Sequence, residues 1–160
     1  MSSGDQSAGW RPGASRFVVE ARARLLHDIR SFFLERKVLE VETPVLSRAG
    51  NSDPNIASLS TDDLPRRYLR TSPEYAMKRL LAAGFGDMYE LGRVFRAEEK
   101  GRRHNPEFTL LEWYRRHVGY LDLAAEACEL IRHCGHGQFD DWHVEFTIYR
   151  ELFQQHTGLD

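Results

Sequence analysis

Positions 94–114 gather charged, aromatic and hydroxyl-bearing side chains at a spacing that aims them together. Asp87 to Arg96 and Pro106 to Arg116 read as strands. The polar, charged loop between them, Ala97 to Asn105, is short enough for an antiparallel hairpin. Alternate side chains of a strand share a face. Phe108, Leu110, Glu112 and Tyr114 therefore fall together, and Thr109, Leu111, Trp113 and Arg115 fall on the other side. Apart from Arg115, the second set is core chemistry. The first is not: it mixes a ring, a carboxylate and a phenol. Arg96 stands at the loop-proximal end of the first strand, with Glu98 just beyond it. One cation, two carboxylates and two aromatics on a sheet face suit a nucleotide. Phe108 would stack on a base, Arg96 would pair with a phosphate, and a carboxylate would accept from an exocyclic amine. A solvated face with ordinary cross-strand ion pairs accounts for the same pattern.

The surrounding elements must position that hairpin. Ser15 is placed to cap a helix running to about Lys37. Along it Phe17, Val18, Ala21, Leu25, Ile29, Phe32 and Phe33 form one apolar stripe, read as core or as a dimer surface. An extended piece follows, Val38 to Thr43, alternating apolar with acidic until Pro44. Ser47 to Asp63 carries turn chemistry in Gly50, Asn51, Asp53, Pro54 and Asn55. Arg67 to Arg70 reads as a short strand. Ser72 then precedes Pro73 as an N-cap for a helix through Tyr75, Met77, Leu80 and Leu81, ended by Gly84 or Gly86. Leu121 to His133 reads as a helix, and Thr147 as the cap of a last short one. The expected fold class is α+β, an antiparallel sheet flanked by helices. Residues 1–15, rich in Ser and Gly, are expected to be a flexible lead-in to one domain over residues 16–160.

Bulk properties narrow the function. A chain of 160 residues, 41% hydrophobic and 29% charged, is sized for one domain or part of one. A net charge of -2 argues against gripping nucleic acid by bulk electrostatics. Two local basic groups remain: Arg66, Arg67 and Arg70, expected to be a solvated patch, and Lys100, Arg102, Arg103 and His104. Cys128 and Cys134 define no disulfide framework, and with His133, His136 and His143 they match no zinc spacing. Trp10, Trp113 and Trp142 are read as packing residues. No apolar run approaches the roughly 20 residues of a membrane span, so a cytoplasmic protein with no membrane partner is expected.

The strings Phe95-Arg96-Ala97-Glu98-Glu99 and Arg103-His104-Asn105-Pro106-Glu107-Phe108-Thr109, followed by Glu112, closely resemble motif 2 of the lysyl-type class II aminoacyl-tRNA synthetases. Val38-Leu39-Glu40-Val41-Glu42-Thr43-Pro44, after its long helix, resembles motif 1; the two motifs span about 17–44 and 94–114. Thr71-Ser72-Pro73-Glu74-Tyr75, with Met77-Lys78-Arg79-Leu80-Leu81, resembles the segment that supplies part of the amino-acid pocket. Within the superfamily the chain looks most like the stand-alone lysyl-synthetase-like ligases that modify elongation factor P. Trp10-Arg11-Pro12-Gly13-Ala14-Ser15 is similar to the N-terminus of that group, so no anticodon-binding domain is expected in front. Glu98-Glu99 also matches the ligases, where the tRNA enzymes usually have Glu-Gly.

The resemblance implies roles. Arg96 would hold the α-phosphate of ATP, with Ala97 beside the nucleotide and Glu98 on the adenine amine or an adjacent group. Arg103 and His104 would reach the outer phosphates, Asn105 would contact the nucleotide, and Phe108 would stack under adenine. Ser72, Pro73 and Glu74 would line the amino-acid site, and Glu112 and Tyr114 would receive the amino groups of lysine or β-lysine. A dicationic substrate needs such carboxylates. The resemblance further implies Mg²⁺, elongation factor P as acceptor, a homodimer through motif 1, and no tRNA. Ala97 departs from the usual Asn, removing one polar contact beside the nucleotide. Motif 3 and the Mg²⁺ carboxylates have no counterpart here, so the fold is expected to be truncated before motif 3, with an incomplete sheet and no metal ligands within the chain. Two alternatives stand beside the ligase: a lysyl-tRNA synthetase catalytic domain, and a non-catalytic synthetase-like module.

Overall fold

The computed structural model describes residues 11–97, 101 and 104–159. The expectations on Trp10, Glu98, Glu99, Lys100, Arg102 and Arg103 lie outside the described residues. The chain divides into two units, Met1–Gly119 and Tyr120–Asp160.

In the first unit, helix α1 spans Arg16–Glu35. Ser15 caps it, its Oγ accepting from the Val18 amide at 3.4 Å. At the other end Lys37 adopts φ 57°, in the left-handed region. The Lys37 and Val38 amides then reach back to the carbonyls of Leu34 and Phe33, both at 3.0 Å. These are the two bonds of a Schellman cap, here closed by a lysine where glycine is usual. The cap turns the chain directly into strand β1, Leu39–Glu40. Strands β2 (Leu46–Ser47) and β3 (Tyr68–Leu69) pair antiparallel as a separate two-stranded ribbon. Helix α2 covers Glu74–Ala82. Pro73 occupies the cap position, and the Ser72 Oγ accepts from the Glu74 amide at 3.1 Å, so the expected serine cap lies one residue early.

Strands β4 (Met88–Phe95) and β5 (Glu107–Tyr114) form the expected hairpin, in register from Met88↔Tyr114 to Phe95↔Glu107. The sheet is not purely antiparallel, as expected from sequence, but mixed. Its order is β1-β4-β5, with β1 parallel to β4. A parallel neighbour needs a long crossover; here β2, β3 and α2 supply it.

Helix α1 supports one face of this sheet. Phe33, wholly buried, stacks on Tyr89 of β4 at 4.4 Å between centroids and lies 5.8 Å from Trp113 of β5. Arg22 donates to the Thr109 hydroxyl at 2.6 Å on the same side. Only Ile29, Phe32 and Phe33 of the helical stripe are buried. Phe17, Val18 and Leu25 remain exposed, so the stripe is core in its second half alone.

The second unit holds α3 (Tyr120–Gly135) and α4 (Tyr149–Thr157). Between them the Phe139 and Trp142 rings meet at 4.2 Å, and Arg132 donates to the Trp142 carbonyl at 3.3 Å. Thr147 does not cap α4, because the helix starts one residue later, with Ile148 at the cap position and no side-chain cap bond. No described helix is long and apolar enough to cross a membrane.

Phe33 anchors the helix to both long strands. Phe33→Ala is expected to destabilise the chain by about 3–5 kcal/mol, the usual cost of emptying a buried aromatic site. Urea unfolding followed by circular dichroism checks this; a loss below about 1 kcal/mol would mean that the helix does not depend on this ring.

Candidate active site

The site lies on the sheet face opposite α1. Directly paired residues of antiparallel strands share a face, so Glu90, Gly92 and Val94 stand opposite Glu112, Leu110 and Phe108. Arg96 follows β4, and the main chain pins both sides of it. The Phe95 amide donates to the Arg70 carbonyl, the Arg96 amide to the Pro106 carbonyl, and the Ala97 amide to the Ala57 carbonyl, each at 2.9 Å. The Arg96 Nε donates to the Thr71 carbonyl at 3.4 Å, and its guanidinium lies 5.1 Å from the centre of the Phe108 ring. That separation is within cation–π range.

Glu112 is held from two sides. Ser72 Oγ donates to one carboxylate oxygen at 2.6 Å and the Tyr114 hydroxyl to the other at 2.7 Å. Burial raises the Tyr114 phenol above its ordinary range, and the Glu112 carboxylate it bonds raises it further. Glu74 pairs with Lys78 one turn along α2. That hydrogen bond is the main reason the Lys78 ammonium is held above its usual value.

These groups bound a cavity of about 430 Å³ lined by Asn51, Asp53, Ser72, Glu74, Arg96 and Glu112, among others. Three carboxylates face one guanidinium there, so the cavity favours a ligand with cationic groups and one anionic end. Of the expected site residues, the structure brings Ser72, Glu74, Arg96 and Glu112 to this cavity. Pro73 lines a smaller neighbouring pocket of about 90 Å³. Tyr114 joins through Glu112, and Phe108 through Arg96. Ala97 is half-buried beside Arg96. His104 and Asn105 are exposed on the hairpin loop, where His104 exchanges backbone hydrogen bonds with Gly101, and neither lines the cavity. Glu98 and Arg103 lie outside the described residues.

Sequence reasoning missed Asn51 and Asp53 as part of this wall, where they join Tyr75. Asn51 donates to the Thr71 hydroxyl at 2.9 Å and accepts from the Tyr75 hydroxyl at 3.2 Å. The available signal is the density of side-chain oxygens over Asn51 to Asn55, a pattern that turn chemistry alone also accounts for.

Arg70 corrects a second expectation. It is not part of a solvated patch but is only 8% exposed, and it pairs with Glu90, which is 2% exposed. Arg70 Nη1 also donates to the Thr43 carbonyl at 3.0 Å and hydroxyl at 2.8 Å, and its Nε to the Arg93 carbonyl at 2.9 Å. Thr43 completes the network by donating its amide and hydroxyl to Glu90, at 3.1 and 2.7 Å.

The family described as tRNA synthetases class II (D, K and N) matches residues 8–149, and the chain belongs to it. More particularly, the chain is similar to proteins named elongation factor P–(R)-β-lysine ligase. It is 46% identical to that of Histophilus somni over 94% of this chain and 48% of the relative. It is 43% identical to that of Mannheimia succiniciproducens over 97% of this chain and 49% of the relative. A Haemophilus influenzae ligase is 44% identical over 94% of this chain and 48% of its own length. The chain thus spans about half the length of the curated relatives it matches.

The two tyrosines that bond to carboxylates make a pH prediction. Burial and the Glu40 carboxylate raise the Tyr89 phenol, as burial and Glu112 raise Tyr114. Unfolded phenols ionise near pH 10. Above that pH the folded state therefore holds protons that the unfolded state has lost, and stability must fall as pH rises. Absorbance at about 295 nm is expected to show these two phenols ionising only with unfolding. Tyr89→Phe and Tyr114→Phe are expected to make stability less steep above about pH 10. Reversible ionisation of all tyrosines near pH 10 in the folded chain would refute it.

Proposed function

We propose that this chain forms the adenine- and amino-acid-facing part of a site that activates lysine or (R)-β-lysine as an adenylate and passes it to a lysine side chain of elongation factor P. The observation that carries the reading is the arrangement of Arg96, beside Phe108, against a cavity whose other charged walls are Asp53, Glu74 and Glu112. The similarity to ligases named for that acceptor and that amino acid supports the choice of substrates.

The chemistry needs no protein nucleophile. A carboxylate oxygen of the amino acid attacks the α-phosphorus of ATP. The bond from that phosphorus to the bridging oxygen breaks, and pyrophosphate leaves with the electron pair. The acceptor amine then attacks the acyl carbon, AMP departs, and the amine proton passes to solvent. Arg96 stabilises charge on the α-phosphoryl oxygens, where it counts most in the transition state. Phe108 offers a stacking face for adenine. Glu74 and Glu112 receive the substrate's amino groups, with Ser72 and Tyr114 fixing the Glu112 carboxylate. His104 and Asn105, together with Glu98 and Arg103, are assigned to the nucleotide. Mg²⁺ would neutralise the phosphates. The described residues contain no converging set of three metal-ligating side chains to hold it, so no step is assigned to it.

The proposed assembly is a homodimer through the motif 1 segment. Phe17, Val18, Leu25 and Leu39 are exposed apolar side chains of this segment, of the kind a two-fold interface covers. Sedimentation equilibrium of the protein carrying this chain is expected to give a dimer at micromolar concentration; a monomer throughout would rule the assembly out.

Arg96 is the test of the chemistry. Arg96→Ala is expected to lower amino-acid-dependent pyrophosphate exchange by about 10²–10³-fold while leaving lysine binding nearly unchanged, because the contact strengthens in the transition state. Exchange within about threefold of the parent protein would remove Arg96 from the reaction. Parallel assays with elongation factor P and with tRNA as acceptor separate the ligase from a tRNA synthetase.

A further inference from the structure

We propose that Arg70 is a positioning residue of this site: clamped by Thr43, Glu90 and Arg93, it sets the path of the chain through residues 70–71, and through the Thr71 carbonyl it sets Arg96. The proposal rests on the adenylation reading given above.

Two consecutive carbonyls carry it. The Arg70 carbonyl accepts from the Phe95 amide at 2.9 Å, and the Thr71 carbonyl accepts from the Arg96 Nε at 3.4 Å. Any rotation of the backbone at Arg70 therefore moves the supports of both Phe95 and Arg96. The Arg70 amide is itself tied to the Val45 carbonyl at 2.9 Å, so the segment just after Thr43 and Pro44 shares the same anchor. Thr71 extends the effect sideways, since its hydroxyl accepts from Asn51, which in turn accepts from Tyr75 on the cavity wall.

The guanidinium suits this task. Its planar fork donates in fixed directions to the Arg93 carbonyl, the two Thr43 oxygens and Glu90, a set that one lysine ammonium cannot reproduce. Strand β4 leaves space for it: a Cβ at Gly92 would sit 2.5 Å from Arg70 Nη2 and 3.1 Å from a Glu90 oxygen. An alanine there would push the guanidinium without removing any charge.

The test uses Arg70→Lys and Gly92→Ala with two readouts. The first is kcat for adenylation per active site, counted by the burst of adenylate; a merely structural defect lowers the number of sites and leaves this quantity alone. Both variants are expected to lose about 10- to 100-fold in kcat per site, the scale set by misplacing a reacting group by about 1 Å, with the KM for ATP within about threefold of the parent. The second is the Nε–Hε resonance of Arg96 in a ¹⁵N correlation spectrum, assigned by its loss in Arg96→Lys and expected to move in both variants. If Arg70→Lys does not fold, Gly92→Ala decides alone, because it keeps the ion pair. An unmoved resonance, or a kcat per site within about threefold of the parent, overturns the proposal. A parent protein that forms no adenylate refutes the adenylation reading instead, and the resonance then decides the positioning role by itself.

Discussion

The structure turns on burying one positive charge beside one negative charge. Two ionic groups taken out of water cost several kcal/mol each, and the cost is recovered only with close pairing and full hydrogen bonding. The Arg70–Glu90 pair meets both conditions. Thr43 supplies two donors to Glu90 and two acceptors to Arg70, and the Arg93 carbonyl accepts a hydrogen bond from Nε. No buried side-chain nitrogen or oxygen among the described residues lacks a partner. Such a network has few alternative arrangements, so it joins β1's continuation, β3 and β4 in one geometry.

The pair also answers an electrostatic difficulty in the sheet. Glu90 and Glu112 are directly opposed across β4 and β5, where like charges repel. Arg70 takes up Glu90 below 10% exposure, while Ser72 and Tyr114 bond to Glu112 at the cavity. One carboxylate thus serves the structure, and its neighbour is left facing the cavity. The opposite face carries the aromatic layer of Phe33, Tyr89 and Trp113 under α1. A slip by one residue would carry Glu90 and Glu112 into that aromatic layer, so the register is strongly specified.

The hairpin is legible in the sequence, because period-2 alternation separates Trp113 and Leu111 from Glu112 and Phe108. The helix of Phe32 and Phe33, and the grouping of Ser72, Glu74, Arg96 and Glu112, were legible for similar reasons: local period for the first, family resemblance for the second. Arg70 was not. An arginine in a run with Arg66 and Arg67 looks solvated, and its partner lies 20 residues away, beyond the reach of local pattern. The parallel pairing of β1 was hidden in the same way, since only tertiary structure decides which neighbour a two-residue strand meets. Thr147 is not the cap because the helix begins one residue later, with Ile148 at the cap position and no side-chain cap bond.

The charge of the cavity sets what the proposed reaction can select. Under the adenylation reading, Arg96 is taken up by phosphate, which leaves Asp53, Glu74 and Glu112 to face the amino acid. A second cationic group about 4 Å from a carboxylate gains on the order of 1 kcal/mol in water-like surroundings and up to about 4 kcal/mol near a protein surface, before desolvation is subtracted. That gain is available to lysine and β-lysine alike and is denied to a neutral side chain. Net charge therefore separates diamino acids from other amino acids, whereas the choice between the α- and β-isomers, which carry the same charges, depends on where the carboxylates stand. Glu112 is fixed by two hydrogen bonds, one from Ser72 and one from Tyr114 on its own strand, while Glu74 shares an exposed ion pair with Lys78. The fixed carboxylate can measure a distance; the shared one can exchange its partner for an incoming ammonium.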